Sequence, residues 1–151
     1  MKLGFIGLGI MGAPMAGHLL AAGHELFAQS RSGVPADLLA AGAKACTTAA
    51  DVAYAADIIF LMVPDTPHVA EVLFGETGLA NGLSAGKTVV DMSSISPIAT
   101  KDYAKRIQAL GCDYIDAPVS GGEVGAKAAS LTIMVGASEA SFATVKPLFE
   151  L

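Results

Sequence analysis

Charged residues and long apolar runs are both scarce in this sequence. Only 15% of its 151 residues are charged, and the formal net charge is −5. No basic stripe is present that could neutralise the phosphates of a nucleic acid, so nucleic acid is not an expected partner. No run reaches the roughly 18 apolar residues that a membrane helix needs, so we expect no membrane partner.

Cysteine is rare as well. Cys46 and Cys112 lie far apart and outside any metal-binding spacing, which predicts two small buried side chains in a reducing compartment and no metal site. Met1 and Lys2 precede an apolar stretch, as in a signal peptide, but glycines and Pro14 interrupt that stretch and no clean cleavage site follows. We therefore expect a cytoplasmic protein.

Apolar residues are abundant, at 53% of the chain, and short apolar runs alternate with amphipathic stretches. This alternation predicts an α/β, Rossmann-type fold: a doubly wound, mainly parallel sheet with helices on both faces. The predicted strands are Lys2–Ile6, Glu25–Ala28, Lys44–Cys46, Asp57–Met62, Thr88–Asp91, Cys112–Asp116 and Leu131–Val135. The predicted helices are Met11–Ala22, Pro35–Ala41, Thr48–Ala55, Thr66–Leu73, Pro97–Leu110 and Glu139–Phe149.

A glycine-rich run follows the first predicted strand and opens the first predicted helix. It matches the pattern G-x-G-x-x-G and consists of Gly7, Leu8, Gly9, Ile10, Met11 and Gly12. In this context the first glycine permits a tight turn, the second lets the backbone approach a pyrophosphate, and the third allows close packing of helix on strand. The free amides and positive end of the helix then favour an anion, which predicts a nicotinamide dinucleotide cofactor.

The end of the second strand bears on which cofactor is used. An acidic residue about 20 positions after the glycines binds a ribose 2′-hydroxyl, whereas an arginine accommodates a 2′-phosphate. No carboxylate lies between Leu26 and Ala36, and this window contains Ser30 and Arg31. We expect NADPH or NADH, with NADPH favoured. The alternative is that Arg31 is an ordinary solvated arginine.

Three further segments follow predicted strands: Met62–Asp65, Asp91–Pro97 and Asp116–Gly122. Together with the glycine run, and in the same order along essentially the whole chain, they resemble the β-hydroxyacid dehydrogenase family, which includes the 3-hydroxyisobutyrate dehydrogenases. The stretches Val63–Pro67 and Glu71–Glu76 are most similar to its tartronate semialdehyde reductase branch.

The resemblance implies roles for residues at the ends of these strands, where open α/β sheets bind ligands. Val63 and Pro64 would border the adenosine and its ribose, and Ser94 would contact the nicotinamide end of the cofactor. The carboxylate of the substrate would be bound by the hydroxyl and backbone amides of Ser120, Gly121 and Gly122. A run of amides in a glycine turn suits an anion; an ordinary turn is the alternative.

The resemblance also implies what residues 1–151 do not contain. They would form the NAD(P)-binding domain, while the catalytic lysine of the family, its neighbouring asparagine and a helical second domain that makes the dimer would lie beyond Leu151. No catalytic residue is therefore expected in this chain, and a homo-oligomer is expected of the full-length protein. The sequence also departs from the family pattern at Ala129, where glycine is usual.

The expected reaction is reduction of tartronate semialdehyde (2-hydroxy-3-oxopropanoate), a small aldehyde that bears a carboxylate, to glycerate. Two alternatives remain open. One is another reaction of the family, on 3-hydroxyisobutyrate, succinic semialdehyde or an imine. The other is a dinucleotide-binding module without catalytic activity.

Overall fold

The computed structural model describes residues 2–137 and 139–150. A six-stranded parallel sheet forms its centre, with the strand order β3-β2-β1-β4-β5-β6. Its strands are β1 (Lys2–Ile6), β2 (Glu25–Gln29), β3 (Lys44–Ala45), β4 (Ile58–Leu61), β5 (Thr88–Asp91) and β6 (Asp113–Asp116). This order confirms the predicted Rossmann-type fold, and it places the reversal of strand order between β1 and β4.

Helices cover both faces of the sheet, which explains why all four residues of β4 are buried. The helices are α1 (Gly12–Ala21), α2 (Ala36–Ala40), α3 (Ala49–Ala55), α4 (Thr66–Phe74), α5 (Pro97–Gln108), α6 (Gly122–Ala128) and α7 (Glu139–Phe149), with a short 3-10 helix at Leu79–Asn81. On one face Phe60 packs with Met15 of α1 and Leu148 of α7. On the other face Ile59 packs with residues of α3 and α4. No helix within residues 2–137 and 139–150 is both long enough and apolar enough to cross a membrane.

The region after β6 differs from the sequence-based prediction. The predicted strand Leu131–Val135 is reduced to β8 (Thr132–Ile133), which pairs antiparallel with β7 (Val119–Ser120) outside the parallel sheet. Helix α6, which lies between β7 and β8, was not predicted from the sequence. The chain returns through it antiparallel, so β7 and β8 form a separate two-stranded sheet.

Ala129 ends α6 in the left-handed backbone region, with a φ of 55°. We expect Ala129→Gly to raise the free energy of unfolding by about 0.5–1 kcal/mol, because a Cβ disfavours this conformation by about 1–2 kcal/mol and the greater backbone entropy of glycine offsets part of the gain. Urea unfolding followed by circular dichroism measures the change. Ala128→Gly is the matched control, since Ala128 is helical and glycine there should lower the stability by about the same amount.

Candidate functional site

A cleft of about 560 Å³ opens at the carboxyl ends of β1, β2, β4 and β5, where the strand order reverses. Open α/β sheets bind ligands at this position. The structure brings all the predicted cofactor residues together there. They are Gly7, Leu8, Gly9, Ile10, Met11, Gly12, Ser30, Arg31, Val63, Pro64 and Ser94.

The glycine loop is closed to side chains at two positions and open at the third. A Cβ on Gly7, whose φ is 95°, would lie 2.1 Å from the carbonyl oxygen of Met62, and a Cβ on Gly12 would lie 1.8 Å from the carbonyl oxygen of Gly7. A Cβ on Gly9 would meet nothing within 4 Å. Gly7 and Gly12 are therefore required by the protein's own backbone, whereas Gly9 leaves free space at the cleft surface.

Helix α1 begins at this loop without a side-chain cap. Met11 precedes the helix and offers no capping hydrogen bond, and the first turn holds no acidic residue. By contrast, α3, α4 and α5 are capped by the side-chain oxygens of Thr48, Asp65 and Ser96. The first amides of a helix commonly have no intrahelical acceptor. Here the amide of Ala13 donates to the carbonyl oxygen of Gly9 (3.0 Å) and Pro14 has no N–H, so the donors left for a ligand are the loop amides up to Gly12. The positive end of α1 therefore faces the cleft, where an anion is stabilised.

The end of β2 forms one wall of the cleft. Gln29, Ser30 and Arg31 line it, and the amide of Gly7 donates to the carbonyl oxygen of Gln29 (3.1 Å), which joins the glycine loop to this strand. Arg31 is exposed, and within the described parts of the chain no carboxylate pairs with it. Its guanidinium is available to an anionic ligand.

Several cleft residues were not predicted from the sequence. Thr47 and Thr48 line the wall before α3, and His68 and Glu71 line it from α4. The Nδ1 atom of His68 lies 2.6 Å from Oδ1 of Asp65, the residue that caps α4, and this hydrogen bond lowers the pKa of the Asp65 carboxyl. No sequence motif singles out His68, although its place in the first turn of a helix that follows a strand was a usable signal.

A buried set of hydrogen bonds lies beneath the cleft; it involves Tyr114, Asp91, Ser93 and Val63 and is called the Asp91 network below. Asp91 ends β5 and is fully buried. Its Oδ2 accepts from the hydroxyl of Tyr114 on β6 (2.8 Å), and its Oδ1 accepts from the amide of Ser93 (2.9 Å). The Oγ of Ser93 accepts from the amide of Val63 (2.9 Å), so the loop after β5 is fixed to the loop after β4.

Burial sets the acid–base behaviour of this network. Desolvation raises the pKa of Asp91, despite opposing hydrogen bonds from Ser93 and Tyr114. It also raises the pKa of Tyr114, to which the neighbouring Asp91 charge adds. Asp116, the register partner of Asp91 on β6, has a raised pKa because of desolvation and then because of the Asp91 charge. Ionised Asp91 is therefore a cost to the folded state.

Because ionised Asp91 destabilises the folded state, we expect the effect of Asp91→Asn on the free energy of unfolding to depend on pH. A raised folded-state pKa contributes stability that is fully present below the unfolded pKa, near 3.8, and is lost as pH rises through the folded pKa. Asparagine does not titrate and also removes the charge that raises the pKa of Asp116. Urea unfolding at several pH values above 3.8 should show the stability of the variant rising relative to wild type as pH increases. A pH-independent difference would contradict the expected titration.

The predicted substrate residues lie in a neighbouring loop and do not line this cleft. Ser120 ends β7, while Gly121 and Gly122 begin α6, with φ values of 132° and 58°. The residues expected to form a turn therefore form the N-terminus of a helix, with Gly121 directly before it and Gly122 as its first residue. Helix α6 is joined to α1, because the Nε2 of His18 donates to the carbonyl oxygen of Ala126 (2.7 Å). The described residues contain no group of three or more His, Cys, Asp or Glu side chains that could hold a metal.

Residues 2–151 match the family described as the NAD binding domain of 6-phosphogluconate dehydrogenase. The chain belongs to this family. It is 60% identical to the 2-hydroxy-3-oxopropionate reductase of Escherichia coli (strain K12) over 151 residues, which are 100% of this chain and 52% of that protein. Among solved structures, 3-hydroxyisobutyrate dehydrogenase from Salmonella typhimurium aligns with a TM-score of 0.90 at 34% identity, covering 99% of this chain and 53% of that one.

A second solved structure, described as Psf3 in complex with NADP+ and 2-OPP, also has a TM-score of 0.90, at 30% identity, and covers 98% of this chain and 53% of that one. The chain spans about half the length of the relatives it matches. These comparisons confirm the resemblance to the β-hydroxyacid dehydrogenases. This NAD-binding domain thus supplies a site for a nicotinamide dinucleotide.

Proposed function

We propose that this domain binds NADPH in the cleft described above. The open space at Gly9, beside loop amides that lead into an uncapped α1, is the observation that carries this proposal, because it leaves room and backbone donors for a pyrophosphate. Ser30 and Arg31 would hold the 2′-phosphate, Val63 and Pro64 would border the adenosine, and Ser94 would contact the nicotinamide end. The Psf3 structure, 30% identical to this chain, is described in complex with NADP+, which supports a 2′-phosphorylated dinucleotide as a ligand of this fold.

We propose further that the full-length protein, acting in the cytoplasm as a homo-oligomer, reduces tartronate semialdehyde to glycerate. The 60% identity to a 2-hydroxy-3-oxopropionate reductase supports this substrate. When bound, the reduced nicotinamide supplies a hydride. Ser120, Gly121 and Gly122 would bind the carboxylate through a hydroxyl and backbone amides and so orient the carbonyl group, a contribution through positioning. The general acid would be the lysine that the resemblance implies for the full-length protein, and no residue described here is assigned that role.

A second candidate is the oxidation of 3-hydroxyisobutyrate or a related reaction of the family. The similarity to a solved 3-hydroxyisobutyrate dehydrogenase favours it, since the fold is shared at 34% identity. A binding module without catalysis is disfavoured, because the relatives that the chain matches are named as reductases and dehydrogenases. The two enzymatic candidates differ only in the substrate, which a comparison of turnover separates.

Two experiments test these proposals. Calorimetric titration of this chain with NADPH and NADH should give tighter binding of NADPH, and tighter binding of NADH would overturn the cofactor assignment. In the full-length protein, tartronate semialdehyde should have the highest kcat/KM in a panel with succinic semialdehyde and 3-hydroxyisobutyrate. Ser120→Ala should raise KM in that protein, and unchanged kinetics would remove the role of this loop.

A further inference from the structure

The Asp91 network places a carboxylate in the interior of the sheet, where its burial costs free energy. A carboxylate buried away from water costs free energy unless its hydrogen bonds are provided. Here Asp91 is fully buried and accepts bonds from Tyr114 and from the amide of Ser93. An apolar pair would fill the same volume without that cost, and such replacements are often neutral or stabilising.

An apolar residue at position 91 could not accept the hydrogen bond from the amide of Ser93. The Oδ1 of Asp91 holds the amide of Ser93, and Ser93 in turn directs its Oγ to the amide of Val63. Ser93 is 1% exposed, so water cannot replace either partner. The carboxylate therefore orders the backbone between β5 and α5 and fixes it to the loop that follows β4.

Both ends of this ordered segment reach the cleft. Val63 lines the cleft after β4, and Ser94, which follows Ser93 directly, lines it after β5. Asp91, Ser93 and Tyr114 do not line the cleft, so they would act on a ligand only through these neighbours. Positional errors of about 1 Å in a binding site can cost two orders of magnitude in rate.

We propose that Tyr114, Asp91 and Ser93 are positioning residues of the cofactor cleft, which hold Val63 and Ser94 in place against the bound dinucleotide. The proposal rests on the proposed function, because it presumes that the cleft binds a nicotinamide dinucleotide. It assigns the network to ligand geometry rather than to general stability.

Ser93→Ala and Tyr114→Phe test the network with small changes that preserve the packing. Ser93→Ala removes the acceptor of the Val63 amide, and Tyr114→Phe removes one donor to Asp91. Each loses one hydrogen bond of the network, so NADPH should bind to this chain about fivefold to tenfold more weakly. Tyr54→Phe is the matched control, since Tyr54 is exposed on α3 and lies outside both the network and the cleft.

Amide hydrogen exchange distinguishes a local loss of order near Val63 from a general loss of stability. The Val63 amide should exchange about fivefold to tenfold faster in both variants than in wild type, while the amides of Ile59 and Val89, inside the sheet, should not change. A uniform rise in exchange, or folded variants that bind NADPH as wild type does, would overturn the inference. If the wild-type chain binds neither NADPH nor NADH, both the proposed function and this inference fail. If the wild-type chain binds NADPH and both variants bind it equally well, only this inference is rejected.

Discussion

Gly9→Ala should abolish dinucleotide binding while leaving the protein folded. A Cβ at this position meets nothing within 4 Å in the protein, so the backbone has no reason to move. The methyl group would, however, stand in the space proposed for the pyrophosphate and separate it from the amides of the glycine loop that lead into α1. Loss of even two charge-assisted hydrogen bonds, at about 1.5 kcal/mol each, weakens NADPH binding about 100-fold or more, which calorimetric titration measures.

Two other glycines supply the controls for this prediction. Gly17 lies within α1, and its Cβ would meet only Leu38 at an ordinary 3.8 Å, so Gly17→Ala should raise stability by about 0.5–1 kcal/mol and leave NADPH affinity unchanged. Gly12→Ala should instead destabilise the fold by about 3 kcal/mol, because its Cβ would lie 1.8 Å from the carbonyl oxygen of Gly7. Wild-type affinity in folded Gly9→Ala would refute the placement of the pyrophosphate.

The three glycines of the loop, Gly7, Gly9 and Gly12, show how much of the site can be predicted from sequence. The pattern G-x-G-x-x-G, set between an apolar strand and a helix, was sufficient to locate the loop and to separate the roles of Gly7, Gly9 and Gly12. The structure agrees, since backbone atoms close off Gly7 and Gly12 and leave Gly9 open. Local sequence suffices here because the constraint comes from residues within one strand–helix unit and the strand beside it.

The Asp91 network shows where sequence reasoning stops. The bond that Asp91 accepts from the Ser93 amide is local, and an aspartate at a strand end is typical of such a turn. The partnership of Asp91 with Tyr114 was not predicted, because it depends on the register in which β5 pairs with β6, with Val89 opposite Tyr114. No local pattern encodes that register, nor the bond from the Val63 amide across two strands.

Helix α6 was missed for a different reason. Gly121, Gly122 and Gly125 occupy its start and centre, and glycine is about 1 kcal/mol less favourable than alanine within a helix. Packing compensates here: Gly125 and Ala126 are buried, and His18 of α1 bonds the carbonyl oxygen of Ala126. Tertiary contacts thus override a weak local preference, and they also join the helix of the phosphate loop to the proposed substrate loop.

Arg31→Ala should change cofactor choice rather than cofactor binding as such. If the guanidinium pairs with a 2′-phosphate, its loss removes charge-assisted hydrogen bonds worth about 1.5–3 kcal/mol in total, so NADPH should bind about 10- to 100-fold more weakly. NADH has no 2′-phosphate, and its dissociation constant should stay within about twofold. Arg31→Lys should fall between, because lysine keeps the charge but loses the planar, two-point contact.

The electrostatic origin of this preference gives a second measurement. Arg31 is exposed, so added salt should screen its attraction for the 2′-phosphate and narrow the difference between NADPH and NADH in wild type. In Arg31→Ala that salt dependence should largely disappear. Lys101→Ala, which removes an exposed charge from α5 outside the cleft, should leave both affinities unchanged. Equal weakening of NADPH and NADH in Arg31→Ala would show that Arg31 supports the cleft without reading the 2′-position.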